Sequence, residues 1–322
     1  MKNKTLRIGA GIVGVTLAVG LVACSEEDTA AQGGRTIDNC GMEISIEEKP
    51  ERIVTLRQAT TENLFEMGQK DKMVGTSSLR DKVQPKWQKA YDSIPVLSKT
   101  VATAEQVLDV DPDFIVATQR GSFVESLTGT REFWAENGVR TFVSNTDCPA
   151  DGTTGFENLQ KDYEQLGEIL GAQEEAKKLI DRTQEAVDNA DVKSGKSLAF
   201  LFNINDAAPW VDGRYGISND IAKLTGSTNV FEDLKEARNE VSWEAFAEKD
   251  PDYIVVADIS GRGLPMDTAQ EKIDELKREP ATKNMKAVRE NKFIVVPGVG
   301  LDPSVRSLEP LAIIAKEVSK DD

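Results

Sequence analysis

Histidine is absent from the 322-residue chain. That absence excludes Ser-His-Asp and Cys-His catalysis, imidazole zinc or manganese sites, and histidine-ligated haem. Also missing are a Gly-x-Ser-x-Gly elbow, a P-loop and a zinc-ligand set, so the common hydrolytic and nucleotide chemistries have no foothold. Carboxylate pairs such as Asp111 and Asp113 precede a strand, the wrong end for a cleft, and read as caps. Basic residues are outnumbered, 39 Lys plus Arg against 55 Asp plus Glu. Setting aside the three basic and no acidic groups of the first 23 residues leaves 36 against 55, a net charge of −19. That balance opposes nucleic-acid binding. It suits a solvated protein outside the cell, in which an anionic ligand requires a local arginine cluster. The hydrophobic share of 39% and charged share of 29% are those of an ordinary globular chain, long enough for two lobes with cores.

What is present begins with an address. Lys2, Lys4 and Arg7 precede an uncharged apolar stretch over residues 8–23, too short to span a membrane comfortably and right for a signal-peptide core. It ends in Leu21-Val22-Ala23-Cys24, which resembles the bacterial lipobox, and that resemblance implies diacylation of Cys24. The reading is a signal over residues 1–23 and a polar tether over 24–35; the alternative is a plain secretory signal with an incidental cysteine. Gly9-Ala10-Gly11-Ile12-Val13-Gly14 matches the dinucleotide-binding pattern by chance, because no strand surrounds it. Cys40 and Cys148 remain, and in an exported, oxidising setting they read as one disulfide, two buried free thiols being the alternative.

Seven short segments rich in Val, Ile and Phe predict buried strands at 52–56, 73–77, 113–118, 140–145, 197–204, 253–258 and 292–298. Helical patterns lie between them at 61–68, 103–110, 131–138, 220–226, 268–277 and 305–318. Such alternation implies parallel sheets with helices on both faces. An internal echo divides the chain. Thr103-Ala104-Glu105 leads eight residues later to Asp111-Pro112-Asp113-Phe114-Ile115-Val116, and Ser242-Trp243-Glu244 leads at the same spacing to Asp250-Pro251-Asp252-Tyr253-Ile254-Val255. In each, Ser or Thr caps a helix and Pro stops it before a buried strand. The expected fold class is therefore α/β, with two Rossmann-like lobes over 36–154 and 193–322, the alternative being a coincidental repeat of a common helix-Pro-strand unit. Apolar residues at helical spacing from Leu159 to Val187, without proline, predict one long helix over 155–192 as a stiff connector, and hence small lobe movement.

These residues resemble the class III, helical-backbone binding proteins that serve importers of ferric siderophores, cobalamin and haem. Pro50-Glu51-Arg52-Ile53-Val54-Thr55-Leu56, Leu64-Phe65-Glu66-Met67-Gly68 and Val74-Gly75-Thr76-Ser77 resemble the family's first strand, helix and second strand. The two Asp-Pro-Asp units, the Leu166-Gly167 and Leu170-Gly171 pairs, and the turn Gly226-Ser227-Thr228-Asn229-Val230-Phe231 follow in the family's order. Cys40-Gly41 with Cys148 is similar to an exported actinobacterial branch, which implies a Gram-positive cell. The resemblance implies a monomeric, lipid-anchored solute-binding protein on the outer face of the membrane, working with an ABC permease and its ATPase, with no cofactor and no protein-held metal. A ferric siderophore is the expected cargo; cobalamin or haem is the alternative.

In open α/β sheets, ligands sit beyond the carboxyl ends of the strands. Reading past each strand gives Arg57 and Gln58, Ser78 and Arg80, then Gln119, Arg120 and Phe123. The second lobe offers Asn203, Asn205, Trp210, Tyr215, Arg262, Asp302 and Arg306, while Trp87 and Arg238 lie on connecting segments. Arginines beside aromatics suit a flat, anionic, conjugated ligand. Trp87, Phe123 and Trp210 read equally as packing side chains, and an arginine in an acid-rich chain also reads as a surface ion pair. Tyr215 is the one candidate for an axial haem ligand. The family docks on its permease through an acidic residue on each lobe rim. Glu125 matches the first, and Asp267 or Glu271 the second, the alternative in each case being a solvated carboxylate. The rival functions are an enzyme, which finds no constellation here, and a lipid-anchored signalling module without cargo.

Overall fold

The computed structural model describes residues 35–190 and 192–321, so the signal and Cys24 lie outside the described residues. The first lobe opens with a hairpin of β1 (Thr36–Asn39) and β2 (Met42–Ser45). Its two-residue turn places Cys40 and Gly41 at φ of 54° and 80°, the left-handed pair that matches the twist of a tight hairpin. There follow β3 (Ile53–Thr55), α1 (Gln58–Glu66), β4 (Met73–Ser77), α2 (Pro85–Tyr91), β5 (Val96–Ser98), α3 (Ala104–Leu108), β6 (Phe114–Ala117), α4 (Arg131–Glu136) and β7 (Arg140–Val143). The sheet is parallel in the order β5-β4-β3-β6-β7.

Two helices, α5 (Gly155–Leu170) and α6 (Gln173–Asp188), lead into the second lobe. It contains β8 (Ser197–Asn205), β9 (Ala208–Asp212), α7 (Ile217–Leu224), β10 (Thr228–Asn229), β11 (Arg238–Glu240), α8 (Trp243–Glu248), β12 (Tyr253–Asp258), α9 (Ala269–Arg278), α10 (Lys286–Arg289), β13 (Phe293–Pro297) and α11 (Leu308–Val318). The order is β11-β9-β8-β12-β13, with β10 also pairing β8. β8, β12 and β13 run parallel, while β9 and β11 form an antiparallel flap on the β8 side.

All seven expected strands are present. The echo occupies equivalent positions in both lobes. Thr103 and Ser242 cap α3 and α8, each hydroxyl accepting from the backbone N–H three residues on. The Asp113 carboxylate accepts from the backbone N–H groups of Glu51 and Arg52, at 2.8 and 3.0 Å, just before β3. Asp252 does the same for β8, accepting from Ser197 N at 2.9 Å and its hydroxyl at 2.8 Å. Each carboxylate satisfies the backbone donors where the neighbouring central strand begins.

The connector departs from expectation. Instead of one helix over 155–192, α5 stops at Gly171, which takes a left-handed φ of 69° and returns its N–H to Gly167. Helical periodicity without proline did not reveal this stop, because a glycine in the αL conformation ends a helix as effectively. The chain then doubles back: Gln160 bonds Gln184, and Gly167 lies against Ala176, so α6 packs antiparallel on α5. The buried face of α5, with Leu159, Tyr163, Leu166 and Ile169, belongs to an apolar core that includes Ile53 and Phe114 of the first lobe and Leu198 and Phe200 of the second. One continuous core through the connector still makes it stiff.

The Cys40–Cys148 disulfide is formed, with Cα atoms 5.6 Å apart across 108 positions of sequence. The lobes also touch directly beside the cleft. The Val305 N–H donates to Asn63 Oδ1 at 2.8 Å, Gln84 bonds Glu309, and the turn at Gly261 rests on the Asp81 backbone. A Cβ on Gly261 would fall 2.4 Å from the Asp81 carbonyl carbon. Gly261→Ala is expected to lower the unfolding free energy by about 1–3 kcal/mol in a urea titration. Gly121→Ala, on the facing rim where the new methyl meets nothing within 4 Å, is expected to change it by less than about 0.5 kcal/mol. Equal losses would contradict this account of the seam.

Candidate ligand-binding cleft

A cavity of about 800 Å³ opens between the lobes at the carboxyl ends of their strands. The first lobe contributes Arg80 from beyond β4, then Gln119, Arg120, Phe123 and Val124 from beyond β6, and Asp147 from beyond β7. The second lobe contributes Phe202, Asn203 and Asn205 from β8, Trp210 from β9, Arg238 from β11 and Arg262 from beyond β12.

Its floor is cationic. The Arg238 guanidinium lies 3.4 Å from the centroid of the Phe202 ring, and Arg80 lies 5.7 Å from the same ring. Arg238 is bound to Asp212 at 3.2 Å and to Asp302 at 2.9 Å; Arg80 approaches Asp302 at 3.9 Å across the seam. Arg57, 8% exposed, lies behind the cleft wall and donates from Nη2 to Gln119 Oε1 at 2.8 Å. Three guanidinium groups, Arg57 buried and Arg80 and Arg238 largely so, thus share two carboxylates. The surplus appears in the hydrogen bonding: Nε and Nη1 of Arg57, Nε of Arg80 and the indole N–H of Trp210 are buried and make no hydrogen bond among the described residues. Such orphans cost free energy unless a ligand meets them.

The acid–base energetics agree. Burial pulls the Arg80 guanidinium well below its ordinary value, and repulsion from Arg57 adds to the effect. Arg57 is lowered for the same first reason. Burial also opposes ionisation of Asp302, but Arg238, Arg80 and Arg57 outweigh it and hold the carboxyl at about 2. The remaining arginines of the cleft are locally paired: Arg120 with Asp147 at 3.1 Å, and Arg262 with the buried Asp267.

Lys272, fully buried on α9, stiffens the second-lobe wall. Its Nζ donates to the carbonyls of Phe202 at 2.9 Å, Ala257 at 2.6 Å and Asp267 at 3.3 Å. Burial brings its pKa down to about 8.

Of the residues expected to hold cargo, Arg120, Phe123, Trp210, Arg238 and Arg262 line this cavity. Arg57 stands one layer behind it. Three others are placed elsewhere. Trp87 is 6% exposed on α2 and packs on Phe65, with Lys86 over its ring, because that face of α2 needs covering against α1. Arg306 is consumed by Glu309 at 2.7 Å and Glu62 at 3.5 Å, and holds the lobes together rather than a ligand. Tyr215 lines two smaller side cavities, with 45% of its surface exposed.

Among the expected docking carboxylates, Glu125 is exposed on the first-lobe rim. Asp267 is corrected: it is 1% exposed, paired with Arg262 and accepting from the Leu264 N–H, so it is not offered to a partner. Glu271 is exposed, although its carboxylate also accepts from the Thr268 N–H and hydroxyl as the capping box of α9. Sequence reasoning missed Phe202, Asp147 and Asp212. Phe202 lies inside an apolar run that reads as core. Only a register shift between Leu201 and Asn203, opposite the unexpected strand β9, marks its special place.

The chain belongs to the periplasmic binding protein family, whose profile matches residues 53–299. It is 23% identical over 235 residues to the ABC transporter substrate-binding lipoprotein YvrC of Bacillus subtilis (strain 168), covering 69% of each chain. A cobalamin-binding protein of Halobacterium salinarum (strain ATCC 29341 / DSM 671 / R1) is 24% identical over 277 residues, covering 84% of this chain and 70% of that one. The crystal structure of an ABC-type Fe3+-hydroxamate transport system from Saccharomonospora viridis DSM 43017 superposes with a TM-score of 0.74 at 23% identity, covering 88% of this chain and 99% of that one. The protein is accordingly a substrate-binding protein of an ABC importer, a class that works with a permease and an ATPase. Among the described residues no helix is long and apolar enough to cross a membrane.

The grip between lobes titrates. Burial pushes the Glu62 carboxyl up to about 7, against the opposing bonds from Gln58 and Arg306. On α5, burial likewise pushes Asp162 up to about 7 despite its bonds from Ser144 and Asn145. Both folded values exceed the unfolded ones, so the folded form retains protons that the unfolded chain releases. This contribution to stability is complete below pH ~4 and is lost as pH rises to ~7. Urea titrations at pH 5 and pH 8 are expected to show the unfolding free energy falling, and Glu62→Gln to shrink that fall by about 1–3 kcal/mol. An unchanged fall in the variant would contradict the assignment.

Proposed function

We propose that the protein is an extracytoplasmic carrier, lipid-anchored through Cys24, that binds a negatively charged ferric siderophore between its lobes and delivers it to its permease. The observation that carries this reading is the surplus of guanidinium at the cleft floor: among the described residues the Arg80 Nε and the Trp210 indole N–H of the lining are donors without an acceptor, and Arg57 adds its charge from one layer behind. An iron chelate of the catecholate type presents anionic oxygens to those donors and conjugated faces to Phe123, Phe202 and Trp210. The cavity has the size of a small-molecule site. The chelate binds whole, with its own oxygens on the iron. Support for iron comes also from the fold shared with the Fe3+-hydroxamate protein, and for a lipid anchor from the lipoprotein relative.

Cobalamin is the second reading, favoured by the name of the Halobacterium relative. A corrin makes little use of three clustered guanidinium groups, which is why it ranks behind. Haem ranks lower still, because the chain has no histidine and Tyr215 is not among the residues lining the cleft.

Native mass spectrometry of the protein from its iron-starved host is expected to show a bound mass with an iron isotope pattern; a bound corrinoid would overturn the iron reading. In a fluorescence titration reported by Trp210, Arg120→Ala is expected to weaken binding of a ferric tris-catecholate by about tenfold, or ~1.4 kcal/mol. Glu125→Ala is expected to leave that affinity intact and slow uptake into cells. The reverse pattern would refute both roles.

A further inference from the structure

We propose that the Cys40–Cys148 disulfide is a positioning element of the cleft, fixing Asp147 and, through Asp147, the guanidinium of Arg120. The proposal rests on the reading of Arg120 as a cargo-facing arginine. Asp147 is the residue immediately before Cys148, and it holds Arg120 at three points. Its Oδ2 accepts from the Arg120 backbone N–H at 2.8 Å and from Nε at 3.1 Å, and its carbonyl oxygen accepts from Nη2 at 2.8 Å. Among the described residues Nη1 makes no hydrogen bond, and Arg120 lines the cavity with 60% of its side chain exposed. An exposed arginine would ordinarily sample many rotamers, and this one is pre-set.

The pre-setting is only as firm as Asp147 itself. The segment after β7 is well fixed as far as Thr146. Asp162 accepts from the Asn145 backbone and side-chain N–H groups at 2.7 Å each and from the Ser144 hydroxyl, and the Thr146 and Ser144 hydroxyls bond each other at 2.8 Å. Burial then ends: Asp147 and Cys148 are half-buried and Ala150 is exposed. Apart from the turn bonds back to Ser144 and Asn145 and the bonds with Arg120 itself, the disulfide is what ties this tip to the body of the lobe among the described residues.

Its other end is a firm anchor. Cys40 occupies the tight turn after Asn39, which is fully buried. The Asn39 side chain donates to Val143 O and accepts from Val143 N, each at 2.8 Å, and Arg131 donates to the Asn39 carbonyl at 2.9 Å. A rigid hairpin is thereby clamped covalently to the residue next to the one that aims a cleft arginine.

The test is hydrogen exchange by mass spectrometry on the full chain, comparing the oxidised protein with Cys40→Ser/Cys148→Ser and with Asp147→Asn. Exchange over residues 118–124 is expected to quicken by about tenfold in both variants, with the second lobe unchanged. Acceleration spread evenly over the first lobe, or none at 118–124, would overturn the proposal by making the disulfide a general staple. Should the double-serine variant fail to fold, the folded protein reduced with a phosphine serves instead, with the same two outcomes. A second arm titrates ferric tris(2,3-dihydroxybenzoate). Loss of the disulfide is expected to weaken binding by about tenfold when Arg120 is present and by less than about twofold on Arg120→Ala. Additive losses would overturn the coupling. A chelate that binds no variant would contradict the cargo reading, and the exchange result would then decide the positioning role alone.

Discussion

Asp302 and Asp212 stand among three buried or largely buried guanidinium groups, and that imbalance organises the centre of the molecule. Placing a third cation out of water beside two others is costly, and a buried charge persists only when something compensates it. Part of the compensation is internal: Asp302 is held at about 2 by Arg238, Arg80 and Arg57 against the cost of its own burial. The Phe202 ring face, turned to both Arg80 and Arg238, adds attraction without adding a negative charge. The donors left over on Arg57 and Arg80 are the part that the described residues do not satisfy.

Around that floor the lobes are held rather than hinged. The apolar core passes from one sheet to the other through α5, and polar ties at Asn63–Val305, Glu62–Arg306 and Gln84–Glu309 close one flank. Moving the lobes far apart would expose that core and unpair those groups, which argues for small rearrangements on loading. Lys272, pinning the ends of β8 and β12, and the disulfide, reaching the Asp147 tip, stiffen the two walls from behind.

Much of this was legible in the sequence. Short β-branched runs bounded by Pro, Gly or Asp marked seven of the parallel strands, because a strand buried on both faces has little compositional freedom; the short parallel strands β5 and β10 went unmarked. The Asp-Pro-Asp echo marked the two lobes because the same backbone donors need a carboxylate at the same point in each. The disulfide followed from two cysteines in an exported chain. Lost were elements whose residues carry no such signature: β11 is Arg238-Asn239-Glu240, and β9 contains Pro209. The arginines were visible as a type but not by role. Arg306 and Arg238 carry the same side chain, yet one closes the seam and the other forms the floor, a distinction set in part by partners more than sixty residues away in sequence. Asp267 failed as a rim carboxylate for the same reason, since Arg262 and the Leu264 N–H claim it.

On this reading the arginine floor selects for negative charge. Calorimetric titration with two ferric chelates of equal denticity and similar size, one a tris-catecholate anion and one a charge-neutral trihydroxamate, tests it most directly. The account predicts that the anion binds at least about a hundredfold tighter, ~2.7 kcal/mol, and that the preference shrinks in Arg80→Leu. Equal affinities, or a preference for the neutral chelate, would contradict it.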